Sequence, residues 1–181
     1  MKSIFNPRFI FISAAIFIAA ISRLLPHPYN FTPIAAIALF GGMRFENKKL
    51  AFIIPLLAMF LSDAALQLIS GTGFHNTMIF VYGSFALISL MGITMSKQSK
   101  IGSIIGLSLI GSILFFLITN FGVWAESGSI TGFTGLITTY AAGIPFFGRT
   151  VGGDLFFNAV LFGSFYFAQL KFPVLAKVKA K

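Results

Sequence analysis

The residues of this chain able to do chemistry are few and unevenly placed. Its two histidines, His27 and His75, and three of its four carboxylates, Asp63, Glu126 and Asp154, fall at or near the ends of apolar runs, as do Arg23 and Arg149. Arginine and aspartate in such a setting pair with each other or fix the polar groups of a ligand, and a neutral imidazole can hold a metal. RLLPHPYNFTP, residues 23–33, gathers Arg23, His27 and Asn30 into eleven positions with three prolines. Two histidines without an HExxH-type pair or a third ligand at metal-site spacing do not make a metal centre, so no metal site is expected. The absence of cysteine excludes disulfides, thiol catalysis and thiolate ligation. No GxSxG nucleophile motif occurs, and the glycines of GRTVGGD, residues 148–154, lack the GK[ST] of a phosphate loop. The expectation is a protein that is not an enzyme. A ligand-free structural or assembly protein stands as the alternative, with an intramembrane enzyme using Arg, His and Asp less supported.

These residues must be positioned by apolar helices. Of 181 residues, 57% are hydrophobic, 9% are charged and 24 are phenylalanine, with a mean hydropathy of +0.93. Ordinary soluble chains carry about 25% charged residues. The fold class expected is therefore an all-α integral membrane protein, a single transmembrane domain over 1–181. Six apolar segments, 9–25, 31–43, 50–66, 77–95, 101–121 and 154–170, predict six transmembrane helices. The second is short against the ~20 residues a span requires. The first is expected to be retained as a span, not cleaved as a signal peptide.

Charge sets the orientation. With the N-terminus inside, Lys2, Arg8, Arg44, Lys48, Lys49, Lys97, Lys100, Lys171, Lys177, Lys179 and Lys181 all fall inside, which is eleven of thirteen basic residues. Both termini are then cytoplasmic, and the membrane expected is the bacterial inner membrane. The net charge of +9 thus reads as topology, with the lipid bilayer as partner and no nucleic acid.

The exceptions collect at the opposite, outer end: Arg23, His27, Asn30, Asp63, His75, Tyr82, Asn120, Trp124, Arg149 and Asp154, with Asn76 and Asn158 nearby. Ionisable groups at membrane depth are expensive and face a bundle interior or a wet cavity, so an outward-facing substrate pocket is expected. Asp63 is open to two readings, an ion pair with Arg23 or Arg149, or direct ligand contact. The segment 122–153, rich in glycine, serine and threonine, reads as an outer lid loop with a re-entrant turn. Asp154 then stands at the N-cap of the last span. Ala15 with Ala19, and Ala38 with Gly42, have small-xxx-small spacing, which suits close helix approach within the fold or against a partner.

RLLPHPYNFTPIAAIALFGG, FLSDAALQ, HNTMIFVYGS and GRTVGGDLFFN, spread over nearly the whole chain, resemble the substrate-binding S-components of energy-coupling-factor vitamin transporters, and are most similar to the solitary BtuM-like cobalamin proteins. The resemblance implies six helices around an outward-facing pocket capped by loops after the odd-numbered spans. It implies uptake of a small molecule, a vitamin such as cobalamin or a related corrinoid, as substrate and not as a permanently bound cofactor. It also implies a coupling membrane protein with ATPases, contacted through Ala15 and Ala19. One departure matters: the cysteine that binds corrinoid cobalt in BtuM-like proteins has no counterpart here, where His75, Asn76 and Thr77 stand. His75 or His27 would then be the axial ligand to a bound corrinoid cobalt.

Overall fold

Asn6 starts the first helix by accepting the Phe9 N–H at 2.8 Å, with Pro7 at the first helical position, where a missing N–H costs nothing. The computed structural model describes residues 6–98, 100–128 and 131–176, and Lys2, Lys177, Lys179 and Lys181 of the charge map lie outside the described residues. The order is α1 (Pro7–Ile21), a 3-10 turn (Ser22–Leu24), α2 (Ile34–Arg44), α3 (Lys48–Ser70), α4 (Met78–Thr94), α5 (Ile101–Glu126), α6 (Gly132–Lys171) and a second 3-10 turn (Pro173–Leu175). Among the described residues all regular structure is helical. Leu25 turns extended ahead of Pro26 and Pro28, which cannot continue a helix. Asn47 caps α3 by accepting from the N–H groups of Lys49 and Leu50, and Gly71 ends it in the left-handed conformation.

α1 together with the 3-10 turn that continues it (Pro7–Leu24), α3, α5 and α6 are long and apolar enough to cross a membrane. Their outward faces expose Ile18, Phe60, Ile113, Phe156 and Phe167, a surface suited to lipid and not to water. α2 and α4 are shorter apolar helices. The short second segment is the axis of the bundle: residues 34–43 are buried, because α1, α3, α4, α5 and α6 all pack on α2. A helix apolar all round belongs in a core. Its tightest neighbour is α4, where a Cβ on Gly42 would lie 2.5 Å from the Ser89 carbonyl oxygen and 2.9 Å from Gly92 Cα.

The segment 122–153 is not a lid loop. α5 runs on to Glu126, and α6 starts at Gly132 and continues through Pro145 and the glycines of GRTVGGD for 40 residues. At about 1.5 Å per residue α6 is about 60 Å long, twice a hydrocarbon core of about 30 Å. The cause is α5, against which FTGLITTYAAGIPFF, residues 133–147, lies down. Phe116 meets the rings of Tyr140 and Phe147, and the Tyr140 hydroxyl donates to the Leu117 carbonyl at 2.6 Å. Gly153 serves contact and not turning, since a Cβ there would lie 3.0 Å from Thr32 N, whereas Gly148 faces open space. Asp154 is consequently in mid-helix and cannot cap its own N-terminus. Its carboxyl group faces the Ala36 N–H, in the first turn of α2, whose own cap, Pro33, makes no side-chain hydrogen bond.

Candidate functional site

The 3-10 turn after α1 aims Arg23 at α3. Its Nη2 lies 2.7 Å from Asp63 Oδ1, and its Nη1 donates to Ser62 Oγ and sits 3.4 Å from Met59 Sδ. From α4 the Tyr82 hydroxyl donates to Asp63 Oδ2 at 2.7 Å. Asp63 is 0% exposed, so both its oxygens are engaged within the protein. A charged pair removed from solvent holds only when its remaining hydrogen-bonding capacity is met. Here Ser62 and Tyr82 meet part of it, Asp63 Oδ1 having the guanidinium as its ion-pair partner but no hydrogen bond, and three helices are pinned at one end of the bundle. Of the two arginines open to Asp63, Arg23 is the partner; Arg149 is exposed on α6.

The histidines do not converge. His27 is exposed with Nδ1 2.7 Å from the Leu25 carbonyl, and His75 is exposed with Nδ1 2.8 Å from Thr77 Oγ1. Among the described residues no group of three or more His, Asp or Glu side chains could hold a metal ion.

At the same end of the bundle is a cavity of about 160 Å³ between the α1–α2 connection, α5 and α6. Asn30, in the left-handed region at φ 64°, lines it from the connection. Phe115, Phe116, Thr119, Asn120 and Val123 line it from α5, and Gly143, Phe146, Phe147 and Thr150 from α6. Asn120 is oriented by donating to the Phe116 carbonyl at 2.8 Å, and the bare Cα of Gly143 makes room for it, since a Cβ there would collide with Asn120 Oδ1. The lining combines flat apolar rings with amide and hydroxyl groups and contains no charged side chain. Trp124 closes the α5–α6 hairpin instead, its Nε1 donating to the Gly132 carbonyl at 3.2 Å.

One helical turn along α6 from Thr150, and one turn back along α5 from Phe116, is a buried polar seam. Ser112 Oγ lies 2.6 Å from Asp154 Oδ2 and 3.1 Å from the Ser108 carbonyl. Asn158 Nδ2 donates to Ser108 Oγ at 2.9 Å.

At the opposite end is a larger cavity, about 390 Å³, with Arg8, Gly42, Phe45, Glu46 and Lys48 among its lining residues. Arg8 is a clamp there: Nη1 donates to the Leu175 carbonyl at 2.7 Å, Nη2 to the Arg44 carbonyl at 2.9 Å, and the guanidinium lies over the Phe165 ring. Ala15 is partly buried and Ala19 buried, both against the bundle core.

The ten ligand-contact residues expected from sequence therefore separate. Asn30 and Asn120 line the cavity at the Arg23 end. Arg23, Asp63 and Tyr82 form a separate network at the same end, and Asp154 lies one helical turn beyond the cavity residue Thr150. His27, His75 and Arg149 are exposed, and Trp124 is taken up in the hairpin. Sequence reasoning missed Phe115, Phe116, Thr119, Phe146, Phe147 and Thr150, although the FF pairs at 115–116 and 146–147 were a visible signal once both were placed on helices.

No curated protein and no solved structure matches the chain. Residues 3–175, almost its whole length, match the model of the family of unknown function DUF6580, and the chain belongs to that family.

Proposed function

We propose that this protein is a six-span component of the bacterial cytoplasmic membrane, with both termini inside, that captures a small molecule at its outer end for uptake. The Arg23 end is then the outer end, and the Arg8 end, with Arg44, Lys48 and Lys49 nearby, faces the cytoplasm. A reporter fused within 96–100 is expected to be active only on the inner side; an outward signal would reverse the orientation.

The observation that carries this reading is the cavity of Asn30, Asn120, Phe116 and Phe147, concave, ring-lined and provided with two amides, of which Asn120 is oriented by the Phe116 carbonyl. Pockets for drug-sized ligands run to roughly 300–1,000 Å³, so 160 Å³ favours a solute smaller than a corrinoid, flat and uncharged, with one or two hydrogen-bonding groups. Phe116 and Phe147 would cover its faces while Asn30 and Asn120 fix its edge. Cobalamin would enter only if the outer end opened, and neither His27 nor His75 lines the cavity as an axial ligand must. Inward release would fall to a coupling membrane protein with ATPases, because this chain contains no ATP-binding motif.

The test is native mass spectrometry of the purified protein, with added cobalamin and a visible absorption spectrum as comparison. A small molecule retained by the wild type is expected to be held at least about tenfold more weakly, ~1.4 kcal/mol, by Gly143→Ala, in which the new methyl displaces the Asn120 amide. Retention unchanged in Gly143→Ala would remove the cavity from the reading. A protein empty of any solute would support a ligand-free structural role, the second reading, which the buried Arg23–Asp63 ion pair with its Tyr82 hydrogen bond favours.

A further inference from the structure

Asp154 is a carboxyl group with nothing beside it to balance a charge. It is 2% exposed, and every element packed around it is neutral at its level. α5 offers Ser108 and Ser112 and carries no charged residue between Lys100 and Glu126; α2 offers the Ala36 N–H, with Arg44 only at its far end. Phe31 and Thr32, which cross Gly153, are uncharged. α1 brings Arg8 only at the inner end, and on α6 the nearest charges are the exposed Arg149 and the distant Lys171. The ion pairs among the described residues are Arg8–Glu46 and Arg23–Asp63. An unpaired carboxylate buried in this way is among the costliest arrangements a chain can adopt.

The hydrogen count leads to the same place. Ser112 Oγ lies 2.6 Å from Asp154 Oδ2 and 3.1 Å from the Ser108 carbonyl. If Asp154 is ionised, both neighbours are acceptors, and one hydroxyl has one hydrogen to give. A proton on Oδ2 resolves the conflict: the acid O–H donates to Ser112 Oγ, and the Ser112 hydrogen goes to the Ser108 carbonyl. One turn inward the buried Oδ1 of Asn158 has no hydrogen-bond partner, leaving an open acceptor in the same seam. One turn outward Thr150 lines the cavity.

We propose that Asp154 is a proton-binding site beneath the floor of the outer cavity, occupied at neutral pH and exchanging its proton with the outer solution through that cavity. Asp63 and Asp154 then differ in kind: the first is balanced by a guanidinium, the second by a proton. This inference uses the cavity of the proposed function as its route but needs no solute, so a protein that retains no small molecule still passes or fails the following test.

The test is infrared spectroscopy of the whole protein in an ester-free detergent. The wild type at neutral pH is expected to show the C=O stretch of an undissociated carboxylic acid, which moves to lower frequency after exchange into D2O and is lost in Asp154→Asn. Ser112→Ala, which removes the group accepting the acid hydrogen, is expected to keep the band and move it to higher frequency. If Asp154→Asn does not fold, the Ser112→Ala displacement carries the assignment. Absence of an acid band in the wild type, a band indifferent to Ser112→Ala, or one that does not respond to D2O overturns the proposal.

Discussion

Arg23→Ala is expected to give little folded protein, with a loss of stability of about 3–5 kcal/mol, the range found when one partner of a buried ion pair is removed. Asp63, 0% exposed beside its arginine, would be left with the Tyr82 hydroxyl as its hydrogen-bond partner. The turn carrying Arg23 would lose its anchor to α3, and the proline-rich connection after it would lose its fixed start. Removing both charges and filling the space tells attraction from packing: Arg23→Met combined with Asp63→Leu is expected to recover most of the loss, because no charge is then stranded. Thermal unfolding followed by fluorescence-detected size exclusion in detergent reads both. A single Arg23→Ala variant as stable as wild type would show that the pair is dispensable.

The second large effect is steric. Gly42→Val places a branched side chain where even a Cβ would stand 2.5 Å from the Ser89 carbonyl oxygen and 2.9 Å from Gly92 Cα. Those are backbone atoms of α4, which cannot rotate away as a side-chain tip can. α2 is enclosed by five other helices, so separating it from α4 disturbs the whole core. Overpacking costs about 1–3 kcal/mol where side chains can yield, and a backbone clash is expected to exceed that and abolish folded yield. Gly83→Ala and Gly106→Ala are the controls, since nothing lies within 4 Å of a Cβ at either position; both are expected to be neutral. A well-behaved Gly42→Val protein would mean that α2 and α4 are not in close contact.

The inward direction of Asp63 and its choice of an arginine were legible because a carboxylate closing an apolar run has few neutral options. Asp154 was misread for a definite reason. GRTVGGD carries every local sign of a chain break followed by a helix start, and only the packing of residues 133–147 on α5, with Gly153 against Phe31 and Thr32, shows that α6 runs on through it. With the segment placed in a loop, Phe146, Phe147 and Thr150 had no face, and the cavity they share with α5 was invisible.

Sequence alone determined that this is a helical chain built for an apolar environment, where its apolar segments lie up to α5, and that its charged residues, Arg149 and Asp154 apart, gather at segment ends. Each of these follows from composition and run length, which are one-dimensional properties. Tertiary structure decided that the shortest helix is the central one, that Arg23 and not Arg149 balances Asp63, that Asp154 serves the first turn of α2, and that a cavity opens between α5, α6 and Asn30. Those outcomes depend on which faces meet. A side chain's partner across a helix interface is set by the register of one helix against another, and that register is settled by packing the whole bundle at once.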